Sequence, residues 1–150
     1  MNDKVVYVPL DERQCNYVFP YELGTYAGME IRRPAEGIMS KIKQPCNIAS
    51  MWEWLYENVK DCKYAVLSLD MLVYGCILAS RHHHMPVGKC ISTLERLKKL
   101  KEINPNVEIH AFGLIMRVAN YDNDSEEPDY WKSYGTKIWK YSWLCDKKDR

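Results

Sequence analysis

The chain has 150 residues, of which 47% are hydrophobic and 27% charged, and its formal net charge is +1. This composition is typical of one globular domain and excludes collagen, coiled-coil and intrinsically disordered chains. A charge so close to zero gives no general attraction to nucleic acid or to anionic membranes. We therefore expect neither as a partner.

Strands and helices alternate along the chain. Runs of β-branched and aromatic residues predict the strands, and apolar residues at three- and four-residue spacing predict the helices. In chain order the predicted elements are a strand over 4–10, a short helix over 20–26, a strand over 29–32, a helix over 48–60, a strand over 63–70, a helix over 91–103, a strand over 107–115 and a helix from 131 to about 141.

Two of these elements have further signals in the sequence. Asn47 or Ser50 can cap the helix over 48–60. The strand over 63–70 has no polar alternation, which is typical of a sheet covered on both faces. Alternation of this kind predicts an α/β fold with βαβ units and a mainly parallel sheet, either part of a (β/α)-barrel or a doubly wound open sheet. We expect a single α/β domain over 1–150, which could be the N-terminal part of a larger one.

The ends of the chain and its cysteines predict a cytoplasmic protein. The first apolar run meets charge again at Asp11, too early for a signal peptide. The longest nearly uncharged stretch, 64–80, contains Asp70 and is shorter than the ~20 apolar residues of a membrane-spanning helix. The six cysteines form no CxxC pair, so we expect reduced, mostly buried thiols.

Polar residues cluster where the predicted strands end, and function in α/β folds gathers at these carboxyl ends. Two carboxylates there, Asp11 and Asp70, are candidates for acid–base or nucleophilic catalysis. Arginine side chains would orient an anionic or carbohydrate-like substrate. The candidate substrate-binding residues are Arg13, Asn16, Tyr74, Arg81 and Arg117.

A structural interpretation of the same residues stays open. Asp11 can pair with Arg13 or Arg81 simply to tie loops together. The run His82–His84 suggests a metal, but adjacent residues point in different directions and rarely bind one ion, so we expect no metal site. His110 is expected in the core or on the sheet surface, and Cys76 as a buried thiol. No dinucleotide-binding, P-loop or GxSxG motif is present, so no cofactor is expected.

Three segments resemble one family. They are YVPLDERQCNY (7–17), VLSLDMLVYGCILASR (66–81) and IHAFGLIMRVANYDNDSEEPDYWKSYG (109–135), and together they resemble the bacterial DUF4127 family of uncharacterised proteins. The family pattern is similar to LDxRPxN at the first segment and YGG…SR at the second. Gln14 stands where proline is usual, and Cys76 stands where a second glycine is usual.

The resemblance implies no reaction, but it does imply positions and length. Asp11, Arg13, Asn16, Asp70, Tyr74, Gly75, Arg81 and Arg117 occupy motif positions of the family. Members of the family run to several hundred residues, so the resemblance implies that this chain is an N-terminal portion. Self-association through an unpaired strand edge or exposed helix faces would follow.

We therefore expect the N-terminal part of a hydrolase that acts on a carbohydrate-like or anionic small molecule through Asp11 and Asp70. One alternative is a non-catalytic module that binds a small ligand or anion at the same residues. Another is an inactive truncated remnant in which these residues only pair with each other.

Overall fold

A computed structural model describes residues 3–149. They form two compact units, unit 1 within Met1–Gly113 and unit 2 within Leu114–Arg150. A single domain over 1–150 stays a prediction. The strands are β1 (Lys4–Val8), β2 (Glu30–Arg32), β3 (Tyr64–Ser68) and β4 (Glu108–Phe112). The helices are α1 (Gln14–Tyr17), α2 (Phe19–Tyr26), α3 (Ile48–Asn58), α4 (Leu69–Tyr74), α5 (Ala79–His82), α6 (Val87–Leu94), α7 (Leu97–Ile103) and α8 (Trp131–Lys148).

The four strands of unit 1 form one parallel sheet in the order β2-β1-β3-β4. In the register, Val6 pairs with Ala65 and Val8 pairs with Leu67. The predicted α/β fold with a parallel sheet is therefore confirmed. With β1 between β2 and β3, the order is that of a doubly wound sheet whose direction of winding reverses between β1 and β3, and such sheets bind ligands at their carboxyl ends.

The core of unit 1 lies on the sheet face that carries Val6, Val8 and Leu67, and α3 packs against it with fully buried Trp52 and Leu55. The helical spacing predicted for α3 thus corresponds to its buried face. The indole Nε1 of Trp52 donates to the carbonyl of Leu72 at 3.0 Å, so the largest core side chain also has its polar atom satisfied. Asn47 caps the helix by accepting from the backbone N–H of Ser50 at 3.1 Å, which settles the capping prediction.

Several predicted boundaries are wrong: the strands expected over 4–10 and 107–115 end at Val8 and Phe112, and two further errors matter more for the site and the core. The strand expected over 63–70 ends at Ser68, because the Ser68 hydroxyl accepts from the N–H of Met71 at 3.2 Å and caps α4. Asp70 therefore lies in the first turn of a helix, not at a strand end. The helix expected over 91–103 is two helices, α6 and α7. Apolar residues at every third position drift around an α-helix of 3.6 residues per turn, so Ile91 is exposed where Leu100 is buried.

The cysteines are all free. Cys46, Cys62 and Cys76 are buried, whereas Cys15 and Cys145 are exposed, so the expectation of mostly buried thiols holds for the core and fails at these two positions. Burial raises the pKa of the Cys46 thiol to about 11, which keeps it protonated and unreactive at neutral pH.

Unit 2 consists of an irregular segment and α8, which continues well beyond the predicted Tyr141. Asp122 accepts from the backbone N–H of Thr136 at 2.8 Å and from its hydroxyl at 2.9 Å, which ties the segment to the helix. A Cβ at Gly135 would lie 2.5 Å from the Trp131 ring, so the absence of a side chain permits this close approach. None of the helices in the described chain is both long and apolar enough to cross a bilayer.

Candidate functional site

The loop after β1 is organised by the Asp11 carboxylate, which is 2% exposed. Oδ1 accepts from the backbone N–H of Arg13 at 3.1 Å and from Asn16 Nδ2 at 2.8 Å. Oδ2 accepts from Nε of Arg13 at 2.9 Å and lies 2.7 Å from its Nη2. These four donors match the roughly four acceptor sites of a carboxylate. Three predicted site residues are thus brought together, in a geometry that holds the loop in place.

Asp70 lies just beyond the carboxyl end of β3, the strand beside β1. It is 7% exposed, in the first turn of α4. A Cβ at Gly113 would lie 3.9 Å from Asp70 Oδ2, which puts this carboxylate against the chain leaving β4. Since β1 pairs with β3, Asp11 and Asp70 follow neighbouring strands at the same edge of the sheet.

Tyr74 and Gly75 end α4. The Tyr74 ring stacks on His83 with 4.3 Å between ring centroids, and its hydroxyl lies 3.8 Å from Cys90 Sγ. Burial raises the pKa of Tyr74. Gly75 has φ of 87°, and a Cβ there would lie 2.8 Å from Pro45 Cβ, so two constraints favour glycine at this family position. The ring of Tyr74 thus contacts protein at a position where we expected a substrate contact.

Arg13, Arg33 and Arg117 each contact side chains of their own unit. Arg13 is held by Asp11, and Arg33 lies between the rings of Tyr17 and Tyr21, with its guanidinium carbon 4.0 Å from each ring centre. Arg117 belongs to unit 2, where its Nη2 lies 3.1 Å from Glu127 Oε1.

Arg81 is half-buried in the short helix α5. The substrate-binding roles of Arg13, Asn16, Tyr74, Arg81 and Arg117, and the catalytic roles of Asp11 and Asp70, stay predictions.

Beside the Asp11 loop, unit 1 contains a cleft of about 660 Å³, within the range of small-molecule sites. One side comes from the loop after β1 with α1, and the other from the segment between β2 and α3. The lining combines carboxylates, amides, a hydroxyl, an amine and apolar side chains. It consists of Glu12, Gln14, Tyr17, Val18, Glu36, Met39, Ser40, Lys41, Ile42 and Gln44.

One contact that joins the two sides of this cleft is a hydrogen bond of 2.5 Å from the Ser40 hydroxyl to Glu12 Oε2. Ser40 is 2% exposed and Glu12 is half-buried. A tight turn next to Ser40 is closed by two backbone hydrogen bonds between Lys41 and Gln44, of 3.0 and 2.7 Å. The turn presents both side chains to the cleft.

Sequence reasoning missed this lining, although a signal for one member existed. Glu12 follows the first predicted strand directly, next to Asp11, and so met the same strand-end criterion. Ser40 and Gln44 lie in a segment with no strand or helix, so no periodicity pointed to them. Gln14 was singled out only as a departure from the family pattern, and it proves to line the cleft.

His110 is on the exposed surface of β4, where its Nε2 lies 3.0 Å from Glu108 Oε1, as expected for a sheet-surface residue. No group of three or more His, Cys, Asp or Glu side chains converges as a metal site within residues 3–149.

The sequence comparisons agree with the resemblance seen in the motifs. A family model described as protein of unknown function (DUF4127) matches residues 5–150, nearly the whole chain. No curated protein and no solved structure matches the chain.

Proposed function

Because the chain belongs to the DUF4127 family, whose function is unknown, we propose from the site itself that it binds a small polyhydroxylated molecule in the cleft beside the Asp11 loop. The single observation that carries the proposal is the cleft of about 660 Å³ at the carboxyl end of β1, with its mixed lining of polar and apolar groups. A volume of this size accommodates a monosaccharide or a somewhat larger molecule.

The lining suits hydroxyl groups because each hydroxyl both donates and accepts a hydrogen bond. The amides of Gln14 and Gln44 offer both functions, and Glu12 offers further acceptor sites. Met39 and Ile42 supply apolar surface against the C–H groups of a sugar ring. Carbohydrate-like ligands need this combination, whereas an anion is best bound by the bidentate fork of arginine, and the lining contains no arginine.

Titration calorimetry with a panel of hexoses, pentoses and inositols tests the proposal. We expect at least one member to bind, and Gln14→Ala and Gln44→Ala each to weaken that binding roughly two- to tenfold, because one neutral hydrogen bond is lost. The matched control is Asn106→Ala, which removes an exposed amide outside the cleft. Equal weakening by the control, or no binding across the panel, would contradict the proposal.

Hydrolysis is the second candidate. It is supported by two buried carboxylates, Asp11 and Asp70, that follow hydrogen-bonded neighbouring strands. Glycosidases need a pair of carboxyl groups within roughly 10 Å of each other. Nitrophenyl glycosides measure this activity directly. We expect release of nitrophenol that Asp70→Asn abolishes and that Asp149→Asn, a change outside unit 1, leaves intact. Sugar binding without turnover would leave a binding module as the function. Absence of both binding and turnover would favour the inactive remnant.

A further inference from the structure

We infer that the ligand of the cleft is a hydroxylated organic cation, an amino-sugar-like molecule whose ammonium group pairs with Glu12; this rests on the proposed function. The charged side chains that line the cleft indicate the sign of the ligand's charge. Its charged members are Glu12, Glu36 and Lys41, two carboxylates against one amine, and it contains no arginine. The cleft therefore has a net negative lining, opposite to the one that an anionic substrate requires.

Of these three charged side chains, Glu12 would interact most strongly with a charge on the ligand. Its carboxylate accepts from the neutral Ser40 hydroxyl, and within residues 3–149 it makes no ion pair. Its neighbour Asp11, by contrast, is paired with Arg13. Glu12 is half-buried, and a charge partly removed from water attracts an opposite charge more strongly than one in bulk solvent.

Lys41 does not cancel this attraction. Its side chain is exposed, as is that of Glu36, so solvent and salt screen both of these charges more than that of Glu12. The Ser40 hydroxyl fixes one oxygen of Glu12 and so orients the carboxylate. A ligand ammonium at Glu12, with ligand hydroxyls at the Gln14 and Gln44 amides, would satisfy the polar groups on both sides of the cleft.

Three probes that share one ring and differ in charge test this inference: glucosamine, glucose and glucuronate. Calorimetric titrations run at about pH 6.5 and low salt, where an amino group carries its proton. We expect glucosamine to bind about tenfold more tightly than glucose, because its ammonium forms an ion pair with the Glu12 carboxylate where the hydroxyl of glucose forms only a hydrogen bond. Glucuronate is expected to bind most weakly.

Two variants connect the preference to one side chain. Glu12→Gln keeps an acceptor oxygen for Ser40 and removes the charge, so we expect glucosamine and glucose to bind within about twofold of each other. Glu53→Gln, an exposed carboxylate outside the cleft, removes the same charge and should leave the tenfold preference intact. Circular dichroism of each variant checks that it is folded.

The outcomes separate the two proposals. Glucose binding with no preference for glucosamine would overturn the cationic ligand and leave the polyhydroxylated one. A preference that survives in Glu12→Gln would overturn the role of Glu12. Binding by none of the three rings, with none in the wider sugar panel, would overturn the proposed function and this inference together.

Discussion

The two units of this chain differ in how many of their apolar side chains they bury. In unit 1, Trp52 is fully buried and its indole N–H is bonded to a backbone carbonyl. In unit 2, Trp143 is 45% exposed and Tyr141 is 71% exposed. Of the 22 buried apolar residues within the described chain, 20 lie in unit 1, and only Ala119 and Trp131 lie in unit 2.

The difference follows from what each unit has to pack against. A parallel sheet gives its helices a broad apolar surface, so α3 buries Met51, Trp52 and Leu55, and α7 buries Leu100. Unit 2 has one long helix and an irregular segment. Within the described residues of that helix, Trp131 and Gly135 are buried. Helical spacing in the sequence therefore predicts a helix in both units, but it predicts a core only where a second layer exists.

The largest difference in the free energy of unfolding is expected between variants of two tryptophans, one from each unit. We expect Trp52→Ala to lower the free energy of unfolding by about 3–5 kcal/mol, because it leaves a cavity and an unpaired carbonyl of Leu72. Trp143→Ala should change it by less than about 0.5 kcal/mol. Urea unfolding followed by circular dichroism measures both. Similar losses in the two variants would mean that α8 belongs to the core after all.

A second pair of variants asks whether unit 2 has packing of its own. Gly135→Ala would bring a Cβ into overlap with the Tyr121 carbonyl and the Trp131 ring, and overpacking of this kind costs about 1–3 kcal/mol. Gly88→Ala in α6 meets no atom within 4 Å and should be neutral or slightly stabilising. Hydrogen exchange should report faster exchange in α8 for the first variant only; no change there would contradict tight packing around Gly135.

Lowering the pH should have a smaller effect on the free energy of unfolding. Hydrogen bonds from Arg32 and then Lys4 hold the pKa of Asp61 below its ordinary value, and bonds from Thr136 do the same for Asp122. The folded chain therefore holds fewer protons than the unfolded one. The resulting stability is present above about pH 4 and is lost as the pH falls towards the folded pKa values.

Asparagine variants test this pH dependence of stability in each unit. Asp61→Asn should weaken unit 1, and Asp122→Asn should weaken α8, by clearly more at pH 7 than at pH 2.5. Unfolding curves at the two pH values measure the difference between each variant and the parent chain. A destabilisation that stays constant with pH would show that charge is not its cause.

The smallest effect on stability is expected at the exposed tyrosines of α8. Tyr130, Tyr134, Ile138 and Tyr141 line an apolar groove, and the sequence predicts self-association through exposed helix faces. We expect a second copy of the chain to cover this groove. Combined Tyr134→Ser and Tyr141→Ser should then shift the chain towards monomer with little loss of stability.

Sedimentation at increasing protein concentration measures this association. Tyr26→Ser is the matched control, since Tyr26 is 86% exposed but lies in unit 1. A parent chain that stays monomeric at every concentration would contradict the prediction.

Within the site, the contacts that the structure shows among the predicted residues are local. Asp11, Arg13 and Asn16 lie within six residues of one another, so a single turn after β1 brings them together. Arg117 was predicted at the same edge because it follows the fourth strand closely, but its observed ion pair is with Glu127, ten residues away in unit 2. A sequence pattern indicates that a residue follows a strand, but not what the residue contacts after the loop turns.

The sequence alone determined the alternation of strands and helices and the parallel sheet, because apolar spacing records which face of each element is buried. The family was recognised separately, from the resemblance of three motifs. Only the tertiary structure decided the strand order, the end of β3 at Ser68 and the cleft itself. The bond from Ser40 to Glu12 joins residues 28 positions apart. Such a contact depends on how β2 and the segment after it return to the carboxyl end of β1, and no local pattern encodes that path.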